Sequence, residues 1–179
     1  MKINRVWAMP DKNTFKIKAV KKLIQKYSFK GQFGAEVMSI DPFANTNRLA
    51  KICNDIDPQH NTEYCMDAKD FLRMIDGGIA DMILFDPPYS PRQVSECYKQ
   101  MGRVVDMQTT QASCWSDLKK EIARIIKPGG IVISCGWNSG GIGKSHGFEI
   151  KEVLMVTHGG WHNDTIVTVE RCMQEKLGR

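Results

Sequence analysis

Short apolar segments alternate with amphipathic helical patterns along the chain, and this alternation restricts the fold more than any other feature. Predicted strands cover residues 35–41, 51–55, 62–66, 81–86, 131–135, 150–157 and 165–171. Predicted helices cover residues 15–27, 67–76, a stretch after Pro91, and about 113–126. Strands that alternate with helices favour right-handed crossovers and a mostly parallel sheet with helices on both faces. The last two strands, joined by residues 158–164, predict an antiparallel hairpin.

The length and composition fit one compact domain. The 179 residues are 42% apolar and 25% charged, which is ordinary for a globular protein. Within it we distinguish a basic N-terminal segment and helix, residues 1–34, from a single α/β domain, residues 35–179. No apolar run could span a bilayer, and the N-terminus lacks the apolar core of a signal peptide. Six cysteines without a C-x-x-C pair indicate reduced thiols, so we expect a cytoplasmic protein without a metal site.

The positive charge is concentrated near the N-terminus. The net charge is +5, and residues 1–30 contain nine lysines and arginines against one acid, Asp11. A local basic surface is typical of proteins that contact phosphate groups. A solvated lysine-rich helix face with no partner explains the charge alone equally well.

Acidic residues follow three predicted strands, namely Asp41, Asp55 and Asp86. In open parallel sheets, ligands bind outside the carboxyl ends of the strands. The sequence therefore indicates a ligand site at that edge of the sheet.

The segment Asp86-Pro87-Pro88-Tyr89 directly follows an apolar strand and is the most informative motif. Two prolines fix the backbone and remove two N–H donors, so carbonyl oxygens can point outward without local partners. A carboxylate and a carbonyl can accept the two N–H groups of a planar amine, while an aromatic ring stacks on its face. The alternative is a proline-stiffened turn whose Asp caps the next helix.

On these residues, the chain resembles the class I S-adenosylmethionine-dependent methyltransferases that methylate amino groups, and within them the phage-type adenine-N6 DNA methyltransferases. The resemblance covers about residues 37–170 and includes the segment 41–45, the turn 127–130 and the C-terminal hairpin. It implies a Rossmann-like three-layer α/β sandwich with a mostly parallel seven-stranded sheet and a C-terminal antiparallel hairpin. It also implies S-adenosylmethionine as methyl donor, DNA as partner, and the cytoplasm of a bacterial or phage-infected cell.

The resemblance assigns roles to individual residues. The catalytic motif is Asp86, Pro87, Pro88 and Tyr89. The methionine end of the methyl donor would be lined by Asp41, Pro42, Phe43 and Asn45. Asp55 would accept hydrogen bonds from the ribose hydroxyls, with Asp57 as a competing candidate, and Asp67 would face the adenine amino group. Each of these acids also has a simpler interpretation as a helix cap or turn residue.

The sequence departs from the family pattern in two places. The segment 41–47 has no glycine where the family has several, and we expect Asn45 or Asn47 to adopt the left-handed conformation instead. The stretch from Asp41 to Asp55 is too short for a full crossover helix. The chain also has no room for a separate target-recognition domain, so short loops, a partner protein or a homodimer must supply target recognition.

Four polar residues are predicted to contact nucleic acid near the mouth of the site: Ser90, Arg92, Arg103 and Lys144. Lys144 belongs to the glycine-rich segment 136–147, for which an ordinary surface loop is the alternative. His158 and His162 have a spacing that suits metal ligands, but the glycine pair between them favours a hairpin tip.

Three other functions fit the same motifs. A base N-methyltransferase acting on RNA would use the same chemistry, and activity on RNA but not DNA would identify it. Methylation of a glutamine side-chain amide is a more distant option. A catalytically silent nucleic-acid-binding or regulatory module is the remaining alternative, and failure to bind S-adenosylmethionine even with substrate present would favour it.

Overall fold

The computed structural model describes residues 1–28, 37–100 and 112–174. Within these residues the protein forms one seven-stranded sheet in the order β1-β6-β7-β5-β4-β2-β3. The strands are β1 (Lys2–Trp7), β2 (Ser39–Asp41), β3 (Ile52–Cys53), β4 (Ala80–Phe85), β5 (Ile126–Gly136), β6 (Phe148–Thr157) and β7 (Thr165–Cys172). The helices are α1 (Lys18–Tyr27), α2 (Ala68–Met74), α3 (Pro91–Gln100) and α4 (Ala112–Ile125).

The strand pairing confirms the predicted fold class. β7 is antiparallel to both β5 and β6, and every other strand pair in the sheet is parallel. β6 and β7 form the predicted C-terminal hairpin. The sheet is therefore mostly parallel, as expected from the alternation of strands and helices.

Helices cover both faces of the sheet and produce three layers. In β4, Met82 and Leu84 belong to the core on one face, whereas Ile83 and Phe85 belong to the core on the other. This division follows from the alternation of side chains along a strand. The first core is completed by Val20, Leu23 and Ile24 of α1. The second core is completed by apolar side chains of α2 and α4, which include Phe71, Leu72, Leu118, Ile122 and Ile125.

The N-terminal strand β1 is not among the predicted strands. It pairs only with β6, in parallel, at the edge of the sheet, and Lys2, Ile3, Arg5 and Trp7 are exposed. An edge strand with charged side chains on its open side lacks the apolar pattern that identifies a buried strand.

The predicted strand at residues 62–66 is wrong. Tyr64 forms a single isolated bridge with Asn54, and no strand is present there. The Glu63 carboxylate accepts a hydrogen bond from the Cys53 N–H, and the Thr62 hydroxyl donates to the Tyr64 carbonyl. Two ladder hydrogen bonds form, from the Tyr64 N–H to the Cys53 carbonyl and from the Asp55 N–H to the Tyr64 carbonyl. The ladder does not extend further because the Glu63 carboxylate occupies the Cys53 N–H.

Two element boundaries also differ from the predictions. The N-terminal helix begins at Lys18 because residues Thr14–Lys16 form a short 3-10 turn. The segment 127–130 lies inside β5, where the register against β4 shifts between Ile126 and Ile131. Among the described residues, every helix is too short or too polar to cross a membrane.

Candidate active site

A cavity of about 1160 Å³ opens at the carboxyl ends of the parallel strands. Its volume slightly exceeds the usual range of about 300–1,000 Å³ for small-molecule pockets. Its walls come from the N-terminal segment, the loops after β2, β3, β4 and β5, the start of α2, and the β6–β7 loop, and they include Lys12, Thr14, Phe43, Asn45, Asp55, Asp57, Asp67, Asp86, Tyr89, Trp137 and His158. The cavity therefore gathers residues that are far apart in the sequence.

The Asp86–Tyr89 turn lines this cavity directly after β4. Pro87 is buried, and within the described residues its carbonyl accepts no hydrogen bond. The Tyr89 hydroxyl donates to Asp86 Oδ1 and lies 3.3 Å from the Thr14 hydroxyl. The turn therefore presents one carboxylate oxygen and one unpaired carbonyl oxygen beside an aromatic ring.

Neighbouring side chains fix the position of Tyr89. Its backbone N–H donates to Gln93 Oε1 at 2.6 Å, and its ring meets the Trp137 ring edge-to-face with 5.9 Å between centroids. Burial and the adjacent Asp86 carboxylate raise the pKa of Tyr89, so the phenol stays neutral and donates a hydrogen bond to Asp86. Trp137 thus extends the aromatic surface next to the acceptor pair.

The ionisation of Asp86 depends on its surroundings. Burial raises the pKa of its carboxyl above the ordinary value, whereas hydrogen bonds from Tyr89 and Thr14 lower it. Thr14 comes from the N-terminal segment, whose predicted feature was its positive charge and not a contact with the motif. The structure instead brings this segment against the carboxylate of the motif.

Asp41 lies behind the cavity wall and is completely buried. Its Oδ1 accepts the Phe43 N–H at 3.0 Å, and its Oδ2 lies 3.5 Å from Asn47 Nδ2. Burial raises the pKa of Asp41 well above its usual range, and the nearby Asp86 and Asp55 carboxylates raise it further. No cationic side chain among the described residues pairs with Asp41.

The loop after β2 uses asparagine where glycine was expected. Asn45 has a φ of +50°, in the left-handed region, whereas Asn47 does not have a positive φ. The Asn45 N–H donates to Asp55 Oδ2 at 2.7 Å, which ties this loop to the end of β3. Pro42 and Phe43 line the same wall, and the Phe43 ring packs edge-to-face on Phe85.

The three other candidate acids all line the cavity and all act as local caps. Asp55 accepts the Asp57 N–H at 2.9 Å, and its Oδ1 lies 3.0 Å from His60 Nδ1. Asp57 caps the short turn at Pro58–His60, and Asp67 caps α2 through the Lys69 N–H. The interpretation of these acids as cap or turn residues is therefore correct. All three also lie in the cavity wall, and their binding of the methyl donor stays a prediction.

Arg48 connects two walls of the cavity and was missed by the sequence analysis. Its Nη1 donates to the carbonyls of Asn45 and Asn47, and its Nη2 donates to those of His60 and Asn61. A planar guanidinium with several donors can hold such a set of carbonyls. No motif signals this role, because it depends on two loops that meet only in the fold.

The predicted nucleic-acid contacts are not brought together. Ser90 accepts the Gln93 N–H in the first turn of α3, and the exposed Arg92 pairs with Glu96. Arg103 lies outside the described residues. Lys144 precedes β6, whose first residue pairs with the last residue of β7, so Lys144 lies at the edge of the sheet opposite the cavity.

His158 joins the β6–β7 loop to the N-terminal segment. It is buried, its Nδ1 lies 2.9 Å from the Ala8 carbonyl, and its Nε2 lies 2.9 Å from the Thr165 hydroxyl. Both ring nitrogens are therefore used in structural hydrogen bonds. His162 lies in the exposed part of the same loop.

Comparison with solved structures identifies the fold. The chain matches TrmN from Thermus thermophilus with a TM-score of 0.52 and 14% identity, over 87% of this chain and 49% of that chain. It matches the N-methyltransferase NodS from Bradyrhizobium japonicum, in complex with S-adenosyl-L-homocysteine, with a TM-score of 0.52 and 11% identity, over 92% and 90% of the two chains.

The chain has a methyltransferase fold. It spans about half of the TrmN chain and 62% of a Pyrococcus horikoshii protein of the same fold (TM-score 0.52, 18% identity, 85% of this chain). No protein-family model matches the sequence, and no curated protein matches it either.

Proposed function

We propose that this protein is an S-adenosylmethionine-dependent methyltransferase that methylates the exocyclic N6 amino group of adenine in DNA. The observation that carries the proposal is the position of the Asp86–Tyr89 turn. It follows β4, an interior strand of the sheet, and presents its acceptor pair to a cavity that is large enough for two ligands side by side.

The residues present suit a cationic methyl donor. Asp41, Asp55 and Asp86 place three carboxyl groups close enough to influence one another, and Asp41 lacks a cationic partner among the described residues. A ligand with a sulfonium and an ammonium group would supply the missing positive charge. Asp55 and Asp57 retain acceptor capacity for ribose hydroxyls, since an ionised carboxylate offers about four lone-pair sites. NodS, which has the same fold, holds S-adenosyl-L-homocysteine.

The chemistry of the site follows from its acceptors. S-adenosylmethionine supplies a methyl group on a sulfonium sulfur, from which an attacking nitrogen can take it by in-line displacement. Asp86 and the Pro87 carbonyl would accept the two N–H groups of the amine, which aligns the nitrogen and stabilises the positive charge that develops on it. Asp86 is too weak a base to deprotonate a neutral amine, and it accepts a proton only as the nitrogen becomes cationic. The Tyr89 ring would stack on the base.

A base inside a duplex cannot reach such a cavity. It must therefore be unpaired or rotated out of the stack before it enters. Tyr89 and Trp137 offer aromatic surfaces at the entrance, and Trp137 is 44% exposed. Loops at the rim, a partner protein or a second copy of the chain would select the target sequence.

The test is transfer of a labelled methyl group from S-adenosylmethionine to single-stranded DNA, duplex DNA and RNA, followed by digestion to nucleosides. We expect N6-methyladenine in DNA from the wild-type protein. Asp86→Ala should lower the rate by at least about 100-fold, because it removes an acceptor for the developing charge. Its affinity for S-adenosylhomocysteine should change little. Asp76→Ala is the matched control, since Asp76 is an exposed acid at the end of α2.

Three outcomes would contradict the proposal. Methylation of RNA but not DNA would select the RNA enzyme. No transfer together with no binding of S-adenosylmethionine would select a silent module. Transfer at the wild-type rate by Asp86→Ala would remove the catalytic role of the motif.

A further inference from the structure

A groove between β1 and α1 carries positive charge that the proposed reaction does not use. It has a volume of about 440 Å³, and its lining includes Lys2, Lys22 and Lys26, the backbone at Arg5, and Glu152 of β6 at its base. Side chains alternate along β1, so those of Lys2, Asn4 and Val6 face α1, whereas that of Arg5 faces away from it. Its floor is apolar and includes Val6, Leu23 and Leu154. We call this surface the β1–α1 groove.

Glu152 connects the elements that form the groove but does not neutralise the positive charge of its lysines. This buried carboxylate accepts hydrogen bonds from Lys26, from the Tyr27 hydroxyl at 2.8 Å and from Asn4 at 2.7 Å, so it joins α1, β1 and β6. Lys2, Arg5 and Lys22 are exposed and form no ion pair within the described part of the chain. Of these, Lys2 and Lys22 face the groove and therefore remain available to an external anion.

Further lysines connect the groove to the cavity. α1 begins beside the cavity and runs back along β1, and its ten residues span about 15 Å. Lys12 and Lys16 line the cavity, and Lys18 and Lys21 are exposed on α1. A row of positive side chains thus leads from the mouth of the cavity to the far end of the groove.

The cavity itself repels phosphate. Its walls include six acids (Asp11, Asp55, Asp57, Asp67, Asp86 and Glu96) but only two lysines. A nucleic-acid substrate can therefore place a neutral base in the cavity, whereas its phosphates need a different surface. Among the described residues, the row of cations on α1 and β1 is adjacent to the cavity and has the required sign.

We propose that the β1–α1 groove binds the phosphodiester backbone of the strand whose base enters the cavity. The proposal rests on the proposed function for the identity of the partner, because only a nucleic-acid substrate links the two surfaces. The apolar floor beneath the cations accommodates the sugar edge of the strand.

The experiment measures binding of a labelled 20-nucleotide single strand, as DNA and as RNA, over a range of salt concentrations. Lys2→Glu/Lys22→Glu should weaken binding at least tenfold at low salt. It should also reduce the slope of log affinity against log salt by about 1.4, since each lost contact with a single strand accounts for about 0.7. Lys120→Glu/Lys144→Glu makes the same charge change away from the groove and should leave both values unchanged.

A neutral variant, Lys2→Gln/Lys22→Gln, should give an intermediate loss of affinity for the strand. Thermal unfolding of all variants and their affinity for S-adenosylhomocysteine should match those of the wild type. In a methylation assay the groove variants should raise KM for the strand and leave kcat unchanged.

The outcomes separate the groove from the reaction. Binding that depends on the groove without any methyl transfer would support the groove and refute the proposed function. Equal losses of strand binding in the groove variants and in the control variant would overturn the proposal that the β1–α1 groove binds the strand. Loss of binding to phosphatidylserine vesicles, with strand binding intact, would overturn it in favour of a membrane surface.

Discussion

Asp41 is a buried carboxyl group without a cationic partner in the described structure, which is a costly arrangement for a folded protein. It accepts hydrogen bonds from the loop that forms the cavity wall, and it is close to the carboxylates of Asp55 and Asp86. Such groups occur where function needs an electrostatic environment that stability alone would not select. We therefore expect stability and cofactor affinity to respond in opposite directions when this charge is removed.

Asp41→Asn tests this expectation. Because burial raises the pKa of Asp41 in the folded state, the folded protein holds a proton that the unfolded chain releases. The contribution of Asp41 to the free energy of unfolding is thus present at low pH, and it is lost as pH rises from the ordinary value of 3.8 through the raised pKa. The Asp41→Asn variant has no carboxyl group to ionise. Its free energy of unfolding should therefore increase relative to that of the wild type as pH rises toward neutrality.

The same variant should bind S-adenosylmethionine, whose sulfonium carries the complementary charge, roughly tenfold more weakly at neutral pH, which corresponds to about 1.4 kcal/mol. Urea unfolding at several pH values and calorimetric titration measure the two effects. Asp76→Asn, at an exposed site, serves as the control and should show neither. A stability difference that does not vary with pH would show that the Asp41 charge is not the cause.

Single residues were predictable where their role is local. Asp86, Pro87 and Tyr89 are adjacent in sequence and follow a strongly apolar strand, so the motif and its place at a strand end could be predicted together. Thr14 could not, because its contact with Tyr89 joins residues 75 positions apart. The prediction that Lys144 lies near the cavity was wrong. Its position depends on the pairing of β6 with β7, which the local sequence does not show.

At the scale of elements, the loops after β2 and β3 form one unit in place of a glycine-rich turn. Asn45 and Asn61 both adopt left-handed conformations, with φ of +50° and +51°, and Arg48 donates to the carbonyls on both loops. Asparagine adopts the left-handed conformation at a lower energetic cost than most other residues that have a Cβ. The guanidinium then holds the two loops at the separation that the cavity requires.

Arg48→Lys should weaken the binding of S-adenosylhomocysteine roughly tenfold, because an ammonium group cannot replace a planar fork that contacts four carbonyls. The KM for S-adenosylmethionine should rise with kcat unchanged, since Arg48 positions the loops and does not contact the reacting atoms. Amide exchange at residues 45–47 should increase. Arg73→Lys, at an exposed position on α2, is the matched control. A fall in kcat without a change in KM would contradict a positioning role.

Elements with a continuous apolar pattern were predicted well, and marginal ones were not. β4, β6, β7 and the helices α2 and α4 each bury a clear face, which the sequence shows. β1 has almost no buried face, and it forms because β6 offers an unpaired edge. Residues 62–66 have β-like composition, but the Glu63 side chain occupies the Cys53 N–H that a longer strand would need.

For the whole molecule, all cavity walls come from one edge of the sheet, and this predicts where a ligand will protect the backbone. S-adenosylhomocysteine should slow amide exchange in residues 42–47 and 55–60 and around Asp86. It should leave the amide exchange of residues 129–130 and 144–147 unchanged, because these residues lie at the opposite edge of the sheet. Hydrogen exchange with mass spectrometry measures both sets in one sample. Equal protection at the two edges would indicate a global effect and not a site at the cavity.

The pairing of β1 with β6 has a consequence for synthesis of the chain. Asn4 and Glu152, which meet in the β1–α1 groove, are 148 positions apart, so β1 can pair only after β6 has emerged from the ribosome. Contacts of such long sequence separation form late because a large loop must close first. A nascent chain in which β6 has not yet been synthesised therefore lacks the assembled β1–α1 groove and cannot bind a strand there.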